Sequence, residues 1–387
     1  MIFTDYERTD DSPKKHRETE YAFLDRSARP EIETVRQFVV ELLNGYPASE
    51  INEVVARLKN GNDVDFRSAA FELLIYDFLT RLGYKLQPHP ELKNGSTTKP
   101  DFHVVSPDGS EFYLEAVLAT EDKGENWSAN AMINTVLDTL NSEPHPIYLV
   151  SITSKGEPST QPSGRRIQRQ VMAWLNSLDS ALVSREGNFL DTNPSIDITH
   201  EGWTLNVQVL LPAPELVGKT KRLIGINMGH TGFVNSWTPI RDNLKDKGQR
   251  YGELELPLVV ALNFSAFNLS PIDEMQALFG EETFTFSISN PHAEPKFGRA
   301  TNGLWYGPSG PRARRVSGAW LFNDLTFYTA AKRKQTLYFN PWANHQLPEA
   351  LKRLPHATMG EDFNLQRSDG LSLREVYKLD ESWPEGN

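Results

Sequence analysis

Apolar positions recur early in the chain at helical spacing. Over Glu31–Tyr46, Val35, Phe38, Val39 and Leu42 fall on one stripe, which predicts an amphipathic helix. Pro47-Ala48-Ser49 breaks it, and Ser49 is placed to cap a second helix running to about Leu58. A third, longer helix is expected from a cap at Asp65 to Leu82, stopped by Gly83. Strand-like runs follow at Tyr84–Gln87, Asp101–Val105 and Phe112–Leu118, the last two joined by a turn at Pro107-Asp108-Gly109. Farther on, helix patterns cover Ala129–Leu140, Arg165–Leu178 and Ile240–Tyr251. Strand patterns cover Ile147–Thr153, Trp203–Leu210 and Leu256–Asn263, with loops expected at 154–164 and 185–200. Strands then dominate, at Phe284–Ser287, Val316–Phe322 and Thr336–Phe339. Residues 1–30 read as a polar tail or arm, and 356–387 as a polar C-terminal tail. No linker divides 31–355, which is therefore expected to form one compact unit. The alternation predicts an α/β fold with a mixed sheet.

Acidic residues stand out against this pattern. Glu72 shares a helical stripe with Ala69, Ile75, Tyr76 and Leu79. A carboxylate on such a face needs a cation, a metal or several donors, unless it flanks the stripe and reaches solvent or an arginine. In the expected hairpin, Asp101 and Glu115 are equidistant from the turn near Asp108, so they should be cross-strand neighbours. Opposed like charges repel unless something sits between them, and a hard divalent cation is the natural occupant. The plainer alternative is an exposed edge hairpin with incidental acids, to which Glu111 also fits.

A helix Glu, then Pro-Asp opening a strand, then Glu on the paired strand, is the order found in the PD-(D/E)xK nucleases. Residues 65–120 resemble that superfamily, with a looser extension to Asn263. The resemblance implies a restriction-endonuclease-like mixed sheet flanked by helices, with an N-terminal helical region and a β-rich C-terminal extension. It implies that Glu72, Asp101 and Glu115 hold one or two divalent cations, Mg²⁺ or Mn²⁺, and that Asp101 and Glu115 are catalytic. The chain departs from the pattern in one place. The lysine expected two residues after the second acid is Val117, in Glu115-Ala116-Val117. In some members the basic residue sits on a neighbouring helix. Here Ile240, Leu244, Lys247 and Tyr251 fall on one inward stripe, which makes Lys247 the candidate replacement unless it snorkels to solvent. Lys99, Lys123, Gln249 and Arg250 are lesser candidates.

Other chemistry is weak. Gly218-Lys219-Thr220 lacks the first glycine of a phosphate loop, since position 213 is Ala. Gly307-Pro308-Ser309-Gly310 is no nucleophile elbow, because position 311 is Pro. No histidine pair has zinc-helix spacing, although His89 and His103 lie near the acidic residues in sequence. Basic clusters offer a nucleic-acid surface: Arg165, Arg166 and Arg169; Lys219, Lys221 and Arg222; Arg312, Arg314 and Arg315; Lys332, Arg333 and Lys334. Trp305, Tyr306 and Trp320 are interleaved with them and could stack on bases.

Charge and composition adjust this picture. The formal net charge of −11 opposes general coating of a phosphate backbone, so nucleic acid would need a local basic face. There is no cysteine, which removes thiolate metal sites and cysteine nucleophiles. No apolar run is long enough to predict a membrane span, and Met1–Glu20 carries no apolar signal segment. The expectation is a cytoplasmic metal-dependent endonuclease acting on DNA, with bacterial defence or processing as its setting on family analogy. Symmetric duplex cleavage would further imply a homodimer. The alternatives are an inactive nuclease-like module that binds nucleic acid or protein, and a different metal-dependent hydrolase.

Overall fold

The computed structural model describes residues 2–120, 127–184, 192–230, 237–265, 270–285, 296–360 and 364–385. The helices are α1 (Glu20–Arg26), α2 (Pro30–Asn44), α3 (Ile51–Lys59), α4 (Asp63–Arg81), α5 (Trp127–Asn141), α6 (Gly164–Ser177), α7 (Trp237–Gln249), α8 (Pro271–Phe279) and α9 (Leu373–Tyr377). The first strands are β1 (Lys85–Pro88), β2 (Phe102–Val105), β3 (Glu111–Thr120), β4 (Leu149–Lys155), β5 (Ser195–His200), β6 (Trp203–Leu210), β7 (Ile224–His230) and β8 (Leu258–Ser265). They are followed by β9 (Glu282–Thr285), β10 (Lys296–Arg299), β11 (Tyr306–Gly307), β12 (Gly310–Pro311), β13 (Gly318–Asn323), β14 (Gln335–Phe339), β15 (His356–Met359) and β16 (Leu365–Ser368).

The chain divides into two compact units where the sequence suggested one. Unit 1 comprises Met1–Arg8, Glu20–Glu121 and Asn235–Asn387; unit 2 comprises Thr9–Thr19 and Asp122–Val234. The larger part of unit 2 is thus inserted in the chain between β3 and α7, and Thr9–Thr19 joins it from before α1. It was hidden because its α5, β4, α6 and β6 continue the same helix–strand alternation without a compositional break.

Unit 1 is mixed α/β. Among the described residues its sheet runs β1-β2-β3-β8-β13-β14-β15-β16. The β1-β2-β3 strands are antiparallel, while β3, β8 and β13 are parallel. Both faces are covered, so β8 is apolar over almost its whole length, as a strand buried on two sides must be. Phe112 and Leu114 of β3 pack with Val259, Ala261 and the α1–α4 helices. Tyr113, Val117 and Ala119 of β3 pack on the other face, with Val260, Leu262, Ile240 and Leu244. The odd-numbered side of β3 therefore looks toward α7, and Glu115 belongs to it.

Local chemistry fixes the helix that matters most. Asn62 caps α4 by accepting from the Val64 amide at 2.9 Å, so the cap lies three residues before Asp65. Asp63 and Asp65 then sit in the first turn, where the helix dipole favours acids. Gly83, at φ +89°, lets the chain reverse into β1. For α3 the cap position is Glu50, with no side-chain bond, and Ser49 does not serve.

Unit 2 has a four-stranded sheet, β5-β6-β4-β7, with α5 and α6. Its core is built from Val136, Leu140, Val150, Ile152, Val171 and Val207, among others. The β5 and β7 strands, and α8, were not evident in the sequence.

The two expected tails are corrected. Residues 2–30 include α1, and Asp25 accepts bonds from the Thr4 amide and hydroxyl at 2.7 and 2.8 Å. Beyond residue 355 come β15, β16 and α9, and the Tyr377 hydroxyl donates to the Leu74 carbonyl at 2.7 Å. Among the described residues no helix is long and apolar enough to cross a membrane.

A buried polar group ties α8 to the sheet. Tyr338 donates to Glu274 Oε2 at 2.6 Å, and Arg367 donates to the Tyr338 hydroxyl at 2.7 Å. Burial pushes the Glu274 carboxyl up to about 7, against the opposing pull of Tyr338 and Arg367. Below pH 4.5, the ordinary value, both folded and unfolded states hold the proton. Between 4.5 and about 7 the folded state binds more, so stability falls as pH rises, and above 7 the penalty is complete. The full effect is on the order of 3 kcal/mol. Glu274→Gln should remove this slope, so denaturant melts of the two proteins should converge at low pH and separate toward about pH 8.

Candidate active site

The site grows from the β2–β3 hairpin. The observed pairs Phe102↔Leu114 and His103↔Tyr113, continued by one residue, place Asp101 opposite Glu115 as the turn position predicted. The Ala116 amide donates to Asp101 Oδ2 at 2.6 Å. Among the described residues no other donor reaches that carboxyl. Burial, then the charges of Glu115 and Glu72, push it well above the usual carboxylate range. All three predicted acids are thus electrostatically linked at the start of β2.

Glu115 is only 3% exposed and faces α7. Lys247 Nζ donates to its Oε1 at 2.7 Å, and the Tyr251 hydroxyl donates to its Oε2. Arg250 is farther, at 4.0 Å. Ile240, Leu244 and Tyr251 are buried, and Lys247 lies on the same face and reaches the acid. Val117, in the position where a lysine was expected, packs in the apolar cluster beneath α7.

Glu72 is buried on α4 and fully partnered by protein. Tyr46 donates to its Oε1 and Arg57 Nη1 to its Oε2, each at 2.7 Å. Arg57 also lies 3.8 Å from Glu53. Of the options left open by the sequence, the arginine partner is the one observed. Tyr46 and Arg57 were missed, because one follows the end of α2 and the other lies on α3, and the approach of both to α4 depends on tertiary packing. Tyr251 was on the stripe, but a tyrosine there reads equally as core.

The three acids do not yet form a closed ligand set. Among the described residues, the one group of acidic or histidine ligands with atoms within 4.8 Å of one another is Glu50, Glu53 and His89. Those are partly exposed, and such groups are common without an ion. Asp101 and Glu115 are the better fit to a hard cation, because Asp101 is a half-buried acid that, among the described residues, is held by a single N–H donor. Glu72 could join them only by sharing an oxygen with Arg57 or Tyr46.

Other candidates fall elsewhere. Lys99 pairs with Glu91, and His103 with Glu111 at 2.7 Å. Lys123 lies outside the described residues. Arg165, Arg166 and Arg169 are exposed on α6, in unit 2. Lys219, Lys221 and Arg222 are exposed there too, with Lys221 bonded to Asp11. Arg312, Arg314 and Arg315 are exposed on unit 1, as are Lys332, Arg333 and Lys334. The aromatic reading is corrected: Trp305 and Trp320 are core residues and cannot stack on bases, while Tyr306 rests on Trp342 with ring centroids 5.7 Å apart. Indole rings in that neighbourhood are large enough to be drawn wholly into the core.

Removing Lys247 tests the Glu115 pairing. Lys247→Met should destabilise the fold by about 3 kcal/mol, the low end for stripping one partner from a buried ion pair, since Tyr251 remains. Adding Glu115→Gln should recover most of that loss in the same denaturant titration, because the uncompensated charge is gone.

Comparison of the chain with protein-family models, with curated proteins and with solved structures gives no match.

Proposed function

We propose that unit 1 is a restriction-endonuclease-like, metal-dependent nuclease that hydrolyses phosphodiester bonds in DNA. The observation that carries this reading is Lys247 reaching Glu115 from a neighbouring helix, beside a half-buried Asp101 opposite it in the hairpin. That arrangement restores the basic group missing at Val117. In this reading Asp101 and Glu115 hold Mg²⁺ or Mn²⁺, with Glu72 supporting them from α4. A bound cation would lower the pKa of a water and offset charge on the phosphate. Lys247 and Tyr251 fix the Glu115 carboxylate, and Lys247, at 27% exposure, keeps its ammonium accessible to a phosphate or a water. Attack of water on phosphorus would break one P–O bond, leaving a phosphomonoester and a free hydroxyl.

One observation favours the inactive-module alternative. Both oxygens of Glu72 and both of Glu115 already have protein donors, so these two acids are satisfied with no cation. Among the described residues Asp101 has one donor, the Ala116 amide, which leaves its other oxygen open to a cation, and this favours the enzyme.

Incubation with plasmid and single-stranded DNA in Mg²⁺, Mn²⁺ or EDTA separates the two. The enzyme reading predicts cleavage that needs the metal, falls to background in Asp101→Ala, and drops about 10²–10³-fold in Lys247→Ala. Absence of cleavage on every substrate, or cleavage equal in Asp101→Ala, would leave the binding module standing.

A further inference from the structure

A second feature of unit 1 lies on another flank of α7. Arg241 and Lys245 from the helix, with Arg312, Arg314 and Arg315 from the segment before β13, line a cavity of about 620 Å³. Among the described residues Asp242 is the one acid in that lining. The floor is set by a close approach. A Cβ on Gly248 would lie 2.2 Å from Val316 Cγ2, so glycine is what lets α7 close against this segment.

The cations divide into two kinds. Arg241 pairs with Asp242 at 2.9 Å and Arg315 with Glu253 at 2.7 Å, so their charges are offset. Arg312 instead donates to the Gly303 carbonyl at 3.1 Å, and Arg314 to the Trp342 carbonyl at 2.8 Å. Carbonyl acceptors orient a guanidinium without cancelling its charge, and each guanidinium keeps further N–H donors. Lys245 is exposed, and it has no acidic partner among the described residues. Arg312 and Arg314 also have none. Three uncompensated cations therefore converge on one concave space in a chain whose net charge is −11. Positioned guanidiniums with spare paired donors are suited to bidentate binding of phosphate oxygens.

We propose that this cavity binds a phosphate-bearing ligand, its phosphate groups held by Lys245, Arg312 and Arg314. A terminal phosphate carries about −1.5 to −2 charges, so a diphosphate end balances these three cations better than a lone diester does. The volume lies within the range of small-molecule sites and accommodates a nucleotide. The same phosphate chemistry is offered by a free nucleotide and by the backbone of a nucleic-acid strand. Binding here requires neither Asp101 nor a metal, so it stands or falls apart from the nuclease reading.

The test is calorimetric titration of the full chain in EDTA with pyrophosphate, with ADP, and with a short oligonucleotide lacking terminal phosphates. Lys245→Glu and Arg314→Glu are compared with Lys59→Glu, an exposed charge reversal at the end of α3, which packs on the opposite face of the sheet from α7, after thermal melts confirm that each variant folds. Saturable binding is expected, weakened at least about tenfold by Lys245→Glu and by Arg314→Glu and little changed by Lys59→Glu. Hydrogen exchange should slow over residues 237–249 and 312–316 when ligand is added. Binding of pyrophosphate and ADP but not the oligonucleotide assigns the site to a free nucleotide; the reverse assigns it to a strand. Failure of all three to bind, or equal weakening by all three reversals, would overturn the proposal.

Discussion

Two carboxylates opposed across the β2–β3 hairpin impose the constraint around which unit 1 is arranged. Asp101 and Glu115 cannot both be charged, close and dry without compensation. Glu115 receives it from Lys247 and Tyr251, which obliges α7 to lie along the odd-numbered face of β3. That placement in turn needs the apolar stripe of Ile240 and Leu244 against Val117, Val260 and Leu262. Among the described residues Asp101 receives only the Ala116 amide, while burial and then the charges of Glu115 and Glu72 push its carboxyl upward. A fold that sought stability alone would gain by exchanging such acids for apolar side chains of similar volume. Their retention is the physical reason for assigning this region a chemical task.

The same helix serves two electrostatic environments. One flank of α7 presents Lys247 to a buried carboxylate, and another presents Arg241 and Lys245 to a basic cavity. Neither feature draws on overall charge, which is negative. Both depend on local placement: an i, i+4, i+7 stripe for the first, and the Gly248–Val316 approach for the second.

The periodicity and the turn carried much of this in advance. The hairpin register followed from the turn near Asp108, because a tight turn sets which residues face one another. Lys247 followed from the stripe it shares with Ile240 and Leu244. What was not legible was information held by tertiary structure. Arg57 and Tyr46 reach Glu72 only once α2 and α3 have packed on α4. The inserted unit continues the surrounding alternation, so no change of composition announced it. The strands and helix after residue 355 are short, and α4, on which α9 docks, is distant in sequence. Trp305 and Trp320 were read from their basic neighbours, whereas burial of a large ring outweighs that context.

The most direct test of the central claim is Mn²⁺ binding by the full chain at neutral pH, followed by the loss of the free-ion electron paramagnetic resonance signal. The account predicts saturable binding to the wild-type protein and at least about tenfold weaker binding to Asp101→Asn. No binding by the wild type, or identical binding by the variant, would contradict it; the latter would place the ion elsewhere, with Glu50, Glu53 and His89 the first residues to examine.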